Sequence, residues 1–166
     1  MKSNLRKNKL RAKQMIKGGI IFLIPFLIAY FCSRYLVQTT MVQGDSMNPT
    51  YHNGQILLIN KMDKNLARGD VIVFRFDKIK SFLMKRIIGI PGDEISFSEN
   101  VIYVNGVPYW ERDESDQGEE GELVTCQVPE GHYFVLGDNV TVSVDSRNPD
   151  IGCVSADLII GKIWKP

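Results

Sequence analysis

Two stretches of the chain hold residue types that could do covalent chemistry together. Gly44-Asp45-Ser46-Met47-Asn48-Pro49-Thr50 presents a serine in a turn rich in Gly, Asp and Pro. Lys85 stands in Ser81–Ile90, a run of large apolar residues with the look of a buried strand. A serine hydroxyl is a poor nucleophile until a base takes its proton, and a desolvated lysine can be that base. On an extended strand Leu83, Lys85 and Ile87 share one face and Met84, Arg86 and Ile88 the other. Lys85 is then bracketed by two aliphatic side chains, while Arg86 is left to reach solvent or a carboxylate. A free lysine titrates near about 10.4, and burial shifts it toward the neutral amine. The two histidines, His52 and His132, stand neither where a Ser-His-Asp triad needs one nor at metal-ligand spacing.

A third cluster, Gly137-Asp138-Asn139-Val140-Thr141-Val142-Ser143-Val144-Asp145-Ser146-Arg147, gathers acids, hydroxyls and an arginine. Read as extended, it puts Thr141, Ser143 and Asp145 on one face and Val140, Val142 and Val144 on the other. Ser143 could orient a neutral lysine amine, and Asp145 with Arg147 could form a charge-assisted pair that fixes the segment. Taken singly, each cluster has a plainer reading: a turn serine, a surface lysine on an edge strand, a polar turn.

The elements that must position these residues follow from charge and apolar pattern. Eight basic residues and no acidic one precede Gln38, whereas the rest of the chain carries twelve Lys and Arg against nineteen Asp and Glu, a net charge of −7. The basic head leads into an apolar run, and an acidic body would repel phosphate, so nucleic acid is not the expected partner. Gly18–Val37 is 20 residues of almost unbroken apolar character, about the length that spans a bilayer. The basic flank predicts a cytoplasmic N-terminus, residues 1–17, with the body outside. A cleavable signal peptide is disfavoured because bulky Tyr35, Leu36, Val37 and Gln38 stand where a small-x-small site would be. Ser46 follows the apolar run by only nine residues, a placement suited to a substrate still held in the membrane.

Beyond the anchor, β-branched and aromatic runs punctuated by turn signals predict a mainly β, antiparallel, partly barrel-like domain over 38–166. Its expected strands are 55–60, 70–76, 81–90, 94–98, 101–104, 107–110, 123–128, 132–136 and 157–164. A small β insertion is expected at 97–131, with a hairpin at Asn105-Gly106. Four Gly-Asp pairs mark strand boundaries, and Gly69-Asp70 reads as turn chemistry. The acidic stretch 111–122 reads as a solvated loop. Cys126 and Cys153 could pair in an oxidising exterior or stay as two buried thiols.

Taken in order, these stretches resemble the type I signal peptidase family in its short Gram-positive form: membrane-anchored Ser/Lys proteases that remove signal peptides from exported proteins. The resemblance rests on Gly44–Thr50 (GDSMNPT), Arg68–Phe74 (RGDVIVF), Lys85–Asp93 (KRIIGIPGD) and Gly137–Arg147 (GDNVTVSVDSR). It implies Ser46 as nucleophile and Lys85 as general base. Ser143, Asp145, Arg147 and Asp138 would support them, and Val42, Gly44, Met47, Leu83 and Met84 would meet the substrate. It further implies preproteins cut after small-x-small residues, with pilus subunits among the candidates, the lipid bilayer as a partner, and no cofactor or metal.

The chain departs from the family pattern in several places. Gly44 stands where Gram-negative members carry a second oxyanion donor, whose loss costs about two to three orders of magnitude in rate. Val140 and Val142 replace arginine and asparagine, Gln55 an aspartate and Tyr51 a leucine. These departures point to a narrow substrate range. The alternatives are a signal-peptidase-like accessory protein for pilus assembly, acting by binding with little or no proteolysis, and a self-cleaving repressor peptidase, which the anchor argues against.

Overall fold

The computed structural model describes residues 2–111 and 122–164, the side chains at 2–14, 16 and 32–34 excepted. Most of the expected acidic loop therefore lies outside the described residues. The chain divides into two compact units, Met1–Gln38 and Thr39–Pro166.

The first unit is one long helix, α1 (Lys2–Tyr35), with Pro25 inside it. Its apolar side chains from Ile20 to Phe31 are exposed. Among the described residues no helix is long and apolar enough to cross a membrane. The helix stops at Tyr35, and Val37, the last residue of the expected span, opens strand β1 (Val37–Met41). Val37, Thr39 and Thr40 are β-branched, which favours extended backbone over another helical turn.

The second unit holds two sheets. The remaining strands are β2 (Ile56–Asn60), β3 (Val71–Phe76), β4 (Ser81–Gly89), β5 (Glu94–Phe97), β6 (Val101–Val104), β7 (Val107–Glu111), β8 (Val124–Gln127), β9 (His132–Leu136), β10 (Val154–Ser155) and β11 (Ile159–Ile163). The larger sheet runs in the order β1-β2-β11-β3-β4-β9-β10, the smaller β7-β6-β5-β8. The pairings from β2 onward are antiparallel. The larger sheet runs from edge β1 to edge β10, so among the described residues hydrogen bonding does not close it into a barrel. The smaller sheet begins at Glu94 rather than 97, because β5 pairs with both β6 and β8. Strands β1 and β10 were not among the nine expected. The first is mostly polar, and the second is only two residues long.

Local chemistry explains the turns. Asn105 and Gly106 both have positive φ, 52° and 75°, the requirement of a two-residue hairpin that splays neither strand. It sets Val104 opposite Val107. At the junction of the two sheets Asp93 accepts from the Ile90 backbone N–H at 2.7 Å, from Arg68 at 2.8 Å and from Asn105 at 2.8 Å.

Alternation along β3 and β4 sorts the core. Ile72, Phe74 and Ile87 pack with Val135, Val154 and Ile159, and Leu83 lies against them. Val71 and Val73 pack with Met47, Ile59 and Ile163, and Met84 lies against that group. A third cluster, including Ile88, Ile95, Ile102 and Phe134, joins the sheets.

The C-terminal strand β11 slots between β2 and β3, and Gly161 permits it. A methyl there would strike the Asn60 carbonyl and Ile59. Neither backbone oxygen nor buried isoleucine yields easily. Gly161→Ala is expected to destabilise the protein by about 2–4 kcal/mol, read as a lowered urea midpoint. An unchanged midpoint would show that the β2–β11 contact is not tight.

Candidate active site

Lys85 sits in the middle of β4, opposite Ile72 on β3, with only 3% of its surface exposed. Its Nζ donates to Ser46 Oγ at 2.8 Å. Thus residues 39 positions apart meet, as the two opening motifs require. The amine is lowered from 10.5 to about 8, chiefly because burial penalises the ammonium. Asp145 opposes that shift, Arg147 adds to it, and Asp138 opposes it more weakly. A neutral amine in contact with a serine hydroxyl can accept its proton.

The serine is presented by a turn held on both sides. Val42 donates its backbone N–H to the Gln55 carbonyl at 2.9 Å, and Gly54 returns a bond to the Val42 carbonyl at 2.9 Å. Asn48 Nδ2 donates to Asp45 Oδ1 at 3.1 Å. Met47 is buried and anchors the turn in the core, while Ser46 remains partly accessible. Gly44 has φ +80° and donates to Asn53 Oδ1 at 3.0 Å. A side chain at that backbone angle is strained even though open space surrounds it. The glycine is thus a requirement of this turn.

The Gly137–Arg147 segment is a succession of turns and bends, not the extended strand expected from its alternation. The backbone N–H groups of Val142 and Ser143 both donate to the Asn139 carbonyl, at 3.3 and 3.1 Å. Val140 is consequently buried, whereas Val142 and Val144 are 59% and 58% exposed. Asn139 donates its backbone N–H to the Ser46 carbonyl at 3.0 Å, tying the segment to the serine turn. Gly137 allows that approach, since a methyl there would collide with Ser143 Oγ and the Ser46 carbonyl.

Asp145 and Arg147 pair at 2.9 Å, and Asp145 also accepts from the Gly137 backbone N–H at 3.2 Å. Arg147 then reaches the Val140 carbonyl at 2.6 Å and the Ser143 carbonyl at 3.3 Å. Asp138 does not join this pair. It receives Arg86 Nε and Nη2 at 2.7 and 2.6 Å, and Arg86 donates also to the Gly69 carbonyl at 2.8 Å. Arg86 therefore finds a carboxylate on the face opposite Lys85. Ser143 Oγ is buried and makes no hydrogen bond, so the bond by which it would orient the lysine is not formed here. Gly69-Asp70 has its expected turn geometry, with φ +89° at Gly69 and Asp70 accepting from Ala67 at 3.1 Å.

A cleft of about 250 Å³ opens onto Ser46 and Lys85. Val42, Met47, Leu83 and Met84 line it, together with Met41 and Phe82; Gly44 is not among the lining residues. Sequence reasoning missed Asn139 and Gly137 as the bridge between motifs. Their signal was present only as a Gly-Asp-Asn turn, and what a turn approaches is decided by the folded chain. Among the described residues no group of His, Cys, Asp and Glu is placed to hold a metal ion.

A largely antiparallel β domain with a buried lysine on an accessible serine defines a hydrolase class. The family model described as signal peptidase, peptidase S26, matches residues 13–165. Signal peptidase I T of Bacillus subtilis is 32% identical over 165 residues, covering 92% of this chain and 85% of that protein. Signal peptidase IB of Staphylococcus aureus is 30% identical over 173 residues, covering 91% and 88%. A crystal structure of a signal peptidase I from Enterococcus faecalis matches with a TM-score of 0.48 at 30% identity, over 60% of this chain and 97% of that one. The chain belongs to the peptidase S26 signal peptidase family and is a serine endopeptidase.

The lowered lysine carries a stability consequence. Below pH 8 both folded and unfolded chains hold the proton, so the full cost of the buried ammonium is present. Between about 8 and 10.5 the folded state gives up the proton first, and stability relative to a neutral side chain rises with pH. Lys85→Met should therefore be the more stable protein at pH 7, by about 2 kcal/mol after loss of the Ser46 bond. Thermal melts should show the gain shrinking between pH 8 and 10.5; a gain that grows with pH would contradict the shift.

Proposed function

We propose that this endopeptidase removes signal peptides from exported preproteins at the outer face of a membrane, with Ser46 as nucleophile and Lys85 as general base. The observation that carries the reading is the 2.8 Å contact between a lysine lowered to about 8 and a partly accessible serine. Ser46 attacks the scissile carbonyl to give an ester enzyme. Lys85 takes the hydroxyl proton, delivers it to the leaving amine, and then activates the water that hydrolyses the ester. The Ser46 backbone N–H serves the oxyanion.

Substrate placement follows from the sheet. Strand β9 pairs with β4 only from Arg86 onward, whereas β3 pairs with it from Ser81. The described pairings thus leave the other edge of Ser81–Lys85 open beside Thr40–Gln43 across the cleft. An extended peptide adds there as a strand, with alternate side chains entering the apolar lining. A cleft of about 250 Å³ walled by Val42, Met47, Leu83 and Met84 admits small side chains, in keeping with a cut after small-x-small residues.

Helix α1 is assigned as the membrane attachment, although its described residues alone do not make a full span. Support comes from its exposed apolar side chains, Ile20 to Phe31, and from the basic residues that precede them. Protease added to intact protoplasts should digest the body and spare an N-terminal tag; digestion of the tag with protection of the body would reverse the orientation.

Ser46→Ala and Lys85→Ala, each tested in the full chain on a precursor ending in Ala-x-Ala, should lower kcat/KM by roughly three orders of magnitude or more. Wild-type cleavage by both variants would end the dyad assignment. For the wild type, kcat/KM should rise with pH through a midpoint near 8, where half of the amine is neutral, and level off above it. A rate that climbs only above about pH 10 would mean that Lys85 titrates as a free lysine.

A further inference from the structure

Cys126 and Cys153 stand on different elements. Cys126 lies on β8, opposite Ile95 of β5, and Cys153 immediately precedes β10, whose Val154 pairs with Tyr133 of β9. Both pack on the cluster that joins the sheets, which includes Ile88, Ile95 and Phe134. Both are free and partly accessible, and each lies close enough to the other to influence its titration. Two partly accessible thiols on separate elements, packed on one cluster and neighbouring each other, are the pair a crosslink would join. Gly152, with φ +54°, stands just before Cys153 and gives the local backbone freedom to adjust.

We propose that Cys126 and Cys153 form a reversible disulfide that staples the smaller sheet to the segment running out of the active site. That segment is continuous with the site. Asn148 donates its backbone N–H to the Asp145 carbonyl at 2.9 Å, and Ile151 and Gly152 both donate to the Asn148 carbonyl at 3.0 Å. Pinning Cys153 therefore fixes the far end of the turns that carry Asp145 and Arg147.

The oxidant is a disulfide-bearing compound. The Cys126 thiolate attacks one sulfur of the oxidant and expels the other as a thiolate. The Cys153 thiolate then attacks Cys126 Sγ in the mixed disulfide and expels the second. Two protein thiols thereby lose two electrons and two protons, and the oxidant is reduced to two thiols. Burial raises both thiols, Cys153 to about 11, so exchange is slow at neutral pH and accelerates in mild alkali.

The test uses the full chain carrying Cys32→Ser, so that only these two thiols report, incubated with oxidised glutathione at pH 9 and then desalted. Expected are loss of both titratable thiols without retained glutathione, a tryptic peptide joining residues 126 and 153, and a Tm several degrees higher that dithiothreitol reverses. Adding Cys126→Ser should abolish the Tm response. Two stable glutathione adducts, two unreacted thiols under those conditions, or a linked peptide with no change in Tm would each overturn the proposal.

Discussion

The structure turns on a buried amine that has no tightly bound carboxylate. A lysine 3% exposed is unfavourable, and the usual remedy is an ion pair. Such a pair would hold the amine charged and unable to accept a proton. Here burial is the largest influence, and Asp145 and Asp138 act on Lys85 through space, with Arg147 countering them. Both carboxylates are engaged elsewhere, Asp145 by Arg147 and Asp138 by Arg86. The two ion pairs thus keep negative charge near the amine without giving it a partner. The folded chain tolerates the resulting cost because β4 is held between β3 and β9 and cannot turn the lysine outward without losing its neighbours.

Pleating lets adjacent residues serve opposite ends. Lys85 and Arg86 are both cations, one bond apart in sequence, yet they face different environments. Arg86 is drawn further into its charged form by Asp138 and braces the Gly137 turn against Gly69. Lys85 is pushed toward neutrality and meets Ser46. A shift of register by one residue would exchange their surroundings and break both the Lys85–Ser46 contact and the Arg86–Asp138 pair. The bulge between Ile87 and Gly89 falls after this pair, where pairing to β9 can be relaxed without moving it.

Much of this was legible in the residues. The alternation in 81–90 placed Lys85 among aliphatic side chains and left Arg86 to reach solvent or a carboxylate, and turn glycines bounded most strands. Asn105-Gly106 specified its hairpin because few residue pairs accept two positive φ angles. Three matters were not legible. The end of α1 depended on whether Leu36 and Val37 joined an apolar helix or a strand, and local composition serves either. Alternation in 140–145 suggested an extended segment, but the Asn139 carbonyl captured two backbone donors and closed a turn. The approach of Asn139 to Ser46 joins residues distant in sequence, and no local pattern encodes it.

The departures at Val140 and Val142 show why that third segment tolerates change. Polar residues in their place would suggest a scaffold of side-chain bonds, which two valines would dismantle. The scaffold observed is main-chain: Arg147 binds the carbonyls of Val140 and Ser143, and Asn139 holds the turn through its own carbonyl. A carbonyl is present whatever the side chain, so position 140 is free to become apolar. Val140 uses that freedom to pack on the cluster between the sheets, where burial of a valine is worth about 1.5–3 kcal/mol when complete. Val142 gains no such burial. It stays exposed beside Val144 on the outer face of the turn.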